Sequence, residues 1–276
     1  MGREPILMAS CGKKGVGKSY TTMKYMRDYV KGNPAKAVPG RKVLIFDVNN
    51  EYSDKAKFPD IRALHLKDVP LFAARPVAEI RRIAPWFENG LRMTLRDMAE
   101  VLQWVVRNYY DGLLLVEDIN KYVSDNMPSD LIGAICTNRH AGVDMILHYQ
   151  SIGRLTPKVW QNINVLRMHK NSDSVDRHQN KFEDKYECLK IAEKIVWTKY
   201  RDGDNRFYLH INFDDEKIYG TMSDQEIKTA ISEYIAENSS SLLNKHINMV
   251  TKQGSKTYTR ESAFTMEEDR IFQTYF

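Results

Sequence analysis

A run of glycines and lysines near the amino terminus has the residue types and spacing of a phosphate-binding loop. Residues 12–19 read Gly-Lys-Lys-Gly-Val-Gly-Lys-Ser and fit the pattern G-x-x-x-x-G-K-[ST]. In such a loop the glycines let backbone N–H groups close around the β-phosphate at the positive end of a helix. We therefore predict a nucleotide site whose contacts are Gly12, Lys13, Lys14, Gly15, Val16, Gly17, Lys18, Ser19 and Tyr20.

The last two residues of the pattern indicate the ligand. The Lys18 ammonium would neutralise oxygens of the β- and γ-phosphates, and the Ser19 hydroxyl would hold Mg²⁺. ATP with Mg²⁺ is therefore the predicted cofactor. The alternative is a glycine turn that binds nothing, but the motif follows a predicted strand and opens a predicted helix, as a phosphate-binding loop must.

Two acids that suit phosphate chemistry follow the most apolar segment of the chain, Leu113–Val116. Glu117 and Asp118 give this segment the form of a Walker B strand, whose terminal acids meet the metal and the attacking water. In the usual order Asp comes first, as the indirect Mg²⁺ ligand, and Glu comes second, as the base. Here the order is reversed, so we assign Glu117 to Mg²⁺ and Asp118 to water activation. The alternative, two solvated acids in a turn, stays open.

Apolar strands and amphipathic helices alternate along the chain and must position these residues. Strands are predicted at 5–9, 43–46, 113–116, 143–147 and 164–168, and helices at 18–31, 94–110, 174–193 and 223–237. Thr94 and Asp97 are predicted to form a capping box at the start of the second helix. Ser129 is predicted to cap another helix that ends near 141–142. Residues 202–205 are predicted to form a hairpin turn, and the isolated prolines between 53 and 90 favour irregular surface structure. This alternation favours a mainly parallel sheet.

Composition limits the class of protein. The chain has 276 residues and a formal net charge of +5, which favours contact with a polyanion only mildly, because the basic residues are spread along the chain. No stretch approaches the roughly 20 apolar residues that cross a bilayer. We therefore expect a cytoplasmic protein without a membrane anchor. The cysteines at 11, 136 and 188 lie far apart, which argues against a zinc site or a disulfide framework.

Four stretches of the chain resemble the HerA/FtsK superfamily of ring-forming DNA pumps, which includes conjugation ATPases and viral genome-packaging ATPases. The first is the phosphate-binding loop with its strand, and the second is Leu44–Tyr52, which contains Asp47 and Glu51. The third is the Walker B strand, and the fourth is 138–151, continued by 157–162. The resemblance runs from about residue 5 to residue 170, and only the phosphate-binding loop is specific when taken alone.

The resemblance implies an α/β fold of the RecA-like (ASCE) P-loop NTPase kind, with a mainly parallel sheet flanked by helices and a helical C-terminal extension. We predict two parts of the chain: an ATPase domain, 1–220, and a helical extension with a tail, 221–276. The resemblance also implies a strand inserted between the phosphate-loop strand and the Walker B strand. That strand ends on Gln150, which is similar to the family's γ-phosphate sensor; the alternative is a glutamine that satisfies a loop backbone.

The same resemblance marks Arg139 as the arginine finger that reaches the ATP of a neighbouring subunit, with Arg154 and Arg167 as alternatives. Arg139 could equally be a solvated arginine or a partner of a helix dipole. Asp47 and Glu51 stay open between active-site support and ordinary polarity at a strand end.

The function implied is ATP hydrolysis that drives translocation of double-stranded DNA, as in a viral genome-packaging ATPase. The partners implied are other copies in a pentameric or hexameric ring, and a portal or capsid component. One alternative is an assembly or secretion ATPase similar to the Zot-like proteins of filamentous phages. A small-molecule kinase is the other, although no arginine-rich lid follows the Walker B strand.

Overall fold

The strands of the protein are short apolar runs that end in polar residues. The structure, a computed structural model, describes residues 4–122, 133, 135, 138–249 and 257–276. Within these ranges nine strands form one sheet: β1 Leu7–Cys11, β2 Val43–Phe46, β3 Ile61–Ala63, β4 Ile80–Ile83, β5 Gly112–Val116, β6 Val143–Tyr149, β7 Val165–His169, β8 Tyr208–Asn212 and β9 Lys217–Tyr219. Their order across the sheet is β3-β4-β2-β5-β6-β1-β7-β8-β9.

The first seven strands pair in parallel, and β8 and β9 add an antiparallel hairpin to the β7 edge. Strand β6 lies between β5, the predicted Walker B strand, and the phosphate-loop strand β1, so the predicted inserted strand is confirmed. The carboxyl ends of parallel strands share one edge of a sheet, where ligands of such folds bind. The phosphate-binding loop, Glu117 and Gln150 therefore all begin at the same edge.

Helices cover both faces of the sheet. The described helices are α1 Lys18–Lys31, α2 Val69–Ala74, α3 Leu95–Asn108, α4 Pro157–Asn162, α5 Gln179–Phe182, α6 Tyr186–Arg201, α7 Asp224–Glu237, α8 Ser239–Leu242, α9 Asn244–Ile247 and α10 Arg260–Tyr275. One face packs on α1 through Met23 and Met26, and the other on α3, α6 and α7. Because both faces are covered, β1, β2 and β5 are buried along their whole length. The predicted RecA-like α/β architecture is confirmed.

The ends of the long helices follow from local side chains. Helix α3 begins at a capping box in which Thr94 and Asp97 bond reciprocally, as the sequence predicts, and α7 begins at a second box formed by Ser223 and Glu226. None of the helices in the described ranges combines the length and the apolar character needed to cross a bilayer. The start of the helix predicted at Ser129 lies outside the described residues; of the rest, Gly133 and Ile135 are helical and Asn138–Ala141 forms a 3₁₀ turn.

Three local predictions were wrong. The single helix predicted over 174–193 is instead the short helix α5 followed by α6, which runs from Tyr186 to Arg201. Residues 202–205 form no hairpin turn; they end α6, where Gly203 has φ +99°, and the hairpin turn follows β8 instead, with Glu216 at φ 58°. Glycine and aspartate favour both kinds of turn, so composition did not separate them. The stretch 53–90 holds two strands of the sheet, β3 and β4, rather than irregular structure alone. Their arginines hid the apolar pattern, and the prolines fall outside the strands.

Candidate nucleotide-binding site

The phosphate-binding loop has the backbone that its glycines allow. Gly15 and Gly17 lie at φ +86° and +85°, a left-handed region that other residues seldom adopt, and Val16 between them is buried. Gly17 is also the residue from which α1 begins, so the amino end of α1 faces the loop. The Lys18 ammonium donates hydrogen bonds to the carbonyl oxygens of Gly12 and Lys13, the latter at 3.0 Å. The loop thus has the geometry of an anion site.

A cavity of about 600 Å³ opens over this loop. It brings together predicted residues from four parts of the chain: the loop, the Walker B strand, the segment after β2 and the end of β6. The lining residues are Lys14, Gly15, Gly17, Lys18, Ser19, Tyr20, Asn49, Glu51, Glu117, Asp118, Lys121, Gln150 and Arg206. Gly12, Lys13 and Val16 support the loop from behind, where Lys13 donates to the Tyr200 hydroxyl at 2.7 Å.

Glu117 lies at the floor of the cavity and is 3% exposed. Tyr52 donates its hydroxyl hydrogen to one carboxylate oxygen at 2.6 Å, and His148 Nδ1 lies 3.0 Å from the other. Burial raises the pKa of Glu117, but the interaction with His148 and the hydrogen bond from Tyr52 outweigh it and bring the pKa below its usual value. Glu117 is therefore an ionised carboxylate held in one orientation.

Asp118 follows in the left-handed conformation, φ 43° and ψ 42°, which turns its side chain into the cavity. Its Oδ2 accepts hydrogen bonds from Asn49 at 2.8 Å and Gln150 at 3.3 Å, and Lys121 Nζ lies 2.8 Å away. Burial raises the pKa of Asp118, but these three donors lower it by more, so that the net shift of the pKa is downward. Gln150, the predicted sensor, thus contacts the acid predicted to activate water.

The segment after β2 places a third carboxylate in the cavity. Glu51 accepts a hydrogen bond from the Ser19 hydroxyl at 3.1 Å. Asp47, fully buried, accepts the backbone N–H groups of Glu51 and Tyr52 at 2.8 and 3.1 Å and pairs with Arg82 at 2.9 Å. Asp47 is therefore a support that fixes the turn, whereas Glu51 lines the site.

The donor set suits Mg²⁺. Mg²⁺ prefers oxygen ligands and is usually held by one or two carboxylates together with phosphate oxygens and water. Ser19, Glu51 and Glu117 offer a hydroxyl and carboxylates beside the phosphate-binding loop. Among the described side chains, no group of three or more His, Cys, Asp or Glu residues is arranged to hold a metal unaided. The residues fit a magnesium ion that arrives with a nucleotide.

Sequence reasoning missed several residues of the site. Arg206, in the turn before β8, stacks over the Tyr20 ring at 5.2 Å and passes within 3.3 Å of the position that a Cβ on Gly17 would take. The Lys121 ammonium donates a hydrogen bond to the Asn49 side-chain oxygen at 2.7 Å across the cavity mouth. Arg206 and Lys121 lie outside every motif, and Asn49 lies inside Leu44–Tyr52 without a predicted role, because only the fold brings these residues to the loop.

The three candidate arginines occupy different places. The side chain of Arg139 lies outside the described part of the chain, and its backbone turn, Asn138–Ala141, precedes β6 at the edge of the sheet opposite the phosphate-binding loop. Arg154 is exposed in a turn shortly after Gln150. Arg167 is only 1% exposed and lies inside the sheet, so that alternative was wrong: a buried guanidinium cannot reach a neighbouring subunit.

Together, the parallel sheet, the inserted strand β6 and the loop after β1 define a P-loop NTPase fold. A scan against models of known protein families found no match to the chain, and a search of curated protein sequences found none. Solved structures do match. The genome packaging NTPase B204 of Sulfolobus turreted icosahedral virus 2, in complex with AMP, is 17% identical, with a TM-score of 0.54 over 80% of this chain and 98% of that chain.

Two further structures give the same result. The same NTPase in complex with ATP-gammaS is 16% identical, with a TM-score of 0.53 over 79% of this chain and 97% of that chain. B204, the DNA-packaging ATPase of Sulfolobus turreted icosahedral virus, is 15% identical, with a TM-score of 0.50 over the same shares. This chain therefore has the fold of these packaging NTPases over nearly their whole length.

Proposed function

We propose that this protein is an ATP-hydrolysing motor that translocates double-stranded DNA, as a viral genome-packaging ATPase. One observation carries the proposal: Lys18, Ser19, Glu117, Asp118 and Gln150 meet around a single cavity at the carboxyl edge of the sheet. These are the parts that phosphoryl transfer to water requires, namely a phosphate cradle, metal ligands, an acid near the water and a polar sensor.

The hydrogen bonds of the phosphate-binding loop would be exchanged when a nucleotide binds. The Lys18 ammonium, which donates to carbonyl oxygens of its own loop, would turn to the β- and γ-phosphate oxygens. Ser19 and Glu117 would hold Mg²⁺, which when bound neutralises the phosphate charge. The Glu51 carboxylate, now hydrogen-bonded to Ser19, would release that hydroxyl so that Ser19 could hold the metal.

Glu117 and Asp118 would have different roles in hydrolysis. Tyr52 and His148 occupy both carboxylate oxygens of Glu117, which holds it as a ligand and leaves it poorly placed to accept a proton. Asp118 makes its contacts with described residues through Oδ2 alone, so Oδ1 is available to a water molecule. The Gln150 amide fixes that carboxylate and would orient the same water against the γ-phosphate.

The DNA, the ring and the capsid partner rest on the shared fold. The structures of similar fold include a protein named as a DNA-packaging ATPase, and the net charge of +5 suits a phosphate backbone. The turn that carries Arg139 lies away from the chain's own cavity, so Arg139 would have to serve the site of the next subunit in a pentameric or hexameric ring. A portal or capsid component in the host cytoplasm would receive the DNA.

ATP turnover with and without double-stranded DNA tests the proposal. The samples are wild type, Lys18→Ala and the matched control Lys24→Ala, an exposed lysine on the same helix, with particle mass measured on each. We expect DNA-stimulated turnover in a ring-sized wild-type and control species, and none in Lys18→Ala. DNA-independent turnover by a monomer would instead favour an assembly ATPase of the Zot-like kind or a small-molecule kinase.

A further inference from the structure

A chain of buried polar side chains runs behind the site, across the sheet face that packs on α1. It begins at Glu117 on β5, passes through His148 on β6 and Thr22 on α1, and continues to Arg167 on β7 and His210 on β8. Glu117, His148, Thr22 and Arg167 are at most 3% exposed. Burial of such polar groups costs free energy unless each of them is hydrogen-bonded. Packing alone therefore does not explain why these polar side chains are buried here.

The distances make the chain continuous. His148 Nδ1 lies 3.0 Å from Glu117 Oε2, and His148 Nε2 lies 2.8 Å from the Thr22 hydroxyl. Arg167 Nη1 donates to the same hydroxyl at 2.8 Å, and Arg167 Nε donates to His210 Nε2 at 3.0 Å. The Arg167 guanidinium also lies over the rings of Tyr25 and Tyr208 at 5.9 and 5.7 Å.

The direction of donation follows from Arg167. A guanidinium can only donate, so the Thr22 oxygen accepts from Arg167 and its own hydrogen is free to go to His148 Nε2. His148 Nδ1 then carries the ring hydrogen and donates it to Glu117. In this assignment every member satisfies its neighbour, and the last hydrogen points at the carboxylate from a side that Tyr52 does not reach.

We propose that His148 is a positioning residue that, with Thr22 behind it, holds the Glu117 carboxylate in the orientation that receives the Mg²⁺ of a bound nucleotide. This deepens the proposed function and rests on it. Thr22 lies one helical turn beyond Lys18 on α1. The hydrogen-bonded side chains therefore connect the helix that follows the phosphate-binding loop to the acid that follows β5. The cradle and the metal ligand thereby keep a fixed relation.

Magnesium-dependent nucleotide binding tests this role apart from turnover. ATPγS binding is measured by calorimetry with Mg²⁺ and with EDTA, for wild type, Thr22→Val and Thr22→Ser. Valine has the shape of threonine but no hydroxyl, whereas serine keeps it. We expect Thr22→Val to weaken binding about tenfold in Mg²⁺ and to leave binding in EDTA unchanged, with Thr22→Ser close to wild type.

A second variant keeps the proposal testable if Thr22→Val does not fold. His148→Asn retains a donor near the Nδ1 position but cannot reach Thr22, so a loss smaller than that of His148→Leu, and again confined to Mg²⁺, is expected. Equal binding by wild type and Thr22→Val in both conditions would overturn the proposal, as would an equal loss in both, which would indicate a structural role. If wild type binds more tightly with Mg²⁺ but does not hydrolyse ATP, the proposed function fails while the positioning role stands.

Discussion

Gln150 Nε2 donates to Asp118 Oδ2 over 3.3 Å, so the residue after β6 directly contacts the second acid that follows β5. The contact exists because β6 is inserted beside β5, which brings the two strand ends together at one edge of the sheet. In the proposed function Gln150 would also meet the γ-phosphate of bound ATP and so couple the state of the nucleotide to the loop that follows β6. The proposed motor depends on that coupling.

Removal of this amide is expected to slow turnover without loss of nucleotide. Gln150→Ala removes one donor from the site, and removal of a donor to developing charge typically lowers kcat by about 10²-fold. Steady-state kinetics measures kcat, and calorimetry with ATPγS measures affinity, with the exposed Gln225→Ala as control. Unchanged kcat in Gln150→Ala would mean that the glutamine only satisfies its loop.

Arg206 is expected to contribute to nucleotide affinity from the same chain. Its guanidinium lines the cavity beside Tyr20, where it can meet phosphate or base, so Arg206→Ala should raise the Kd for ATPγS by about tenfold. Arg201→Ala, an exposed arginine a few residues earlier, is the control. Equal Kd values for both variants would show that Arg206 does not contact the ligand.

Asp47 is expected to matter for stability. Asp47→Ala would leave two backbone N–H groups and the Arg82 guanidinium without their acceptor, at a cost of about 3 kcal/mol in the free energy of unfolding. Urea denaturation measures this cost. Asp47→Asn keeps one acceptor oxygen and should lose less. A loss of activity in Asp47→Ala without any loss of stability would instead point to a direct role in the site.

Glu267 is expected to make the stability of the C-terminal helix α10 depend on acid pH. Burial raises the pKa of this carboxyl, but hydrogen bonds from Lys245, His246 and Arg270 outweigh it and lower the pKa from 4.5 to about 2. Because the pKa is lower in the folded state, the ionised group stabilises the fold above pH 4.5, and this stabilisation is lost as the pH falls through about 2.

The comparison of wild type with Glu267→Gln isolates that contribution. The difference in unfolding free energy between the two proteins should shrink as the pH falls below 4.5, when measured by urea denaturation at each pH. A difference that stays constant from pH 6 to pH 2 would contradict the ionic role of Glu267.

The sequence was a good guide where chemistry is local in the chain. The phosphate-binding loop, the α1 boundaries Lys18–Lys31 and the Thr94 cap each depend on neighbouring residues, and the structure agrees with them. His148 and Arg206 could not be predicted as site residues, because they meet the site only through strand order and the turn before β8. Strand β4 was missed because its two central residues are arginines. Arginines are tolerated there because β4 is the second strand from the edge of the sheet, with only β3 beyond it.

Displacement of a third strand from duplex DNA tests the central claim most directly. A triplex-forming oligonucleotide is bound at one end of a linear duplex, and its release is followed after ATP is added. We expect release by wild type and Lys24→Ala with ATP, but not with ATPγS, and none by Lys18→Ala. ATP hydrolysis by wild type without any release would contradict translocation along double-stranded DNA.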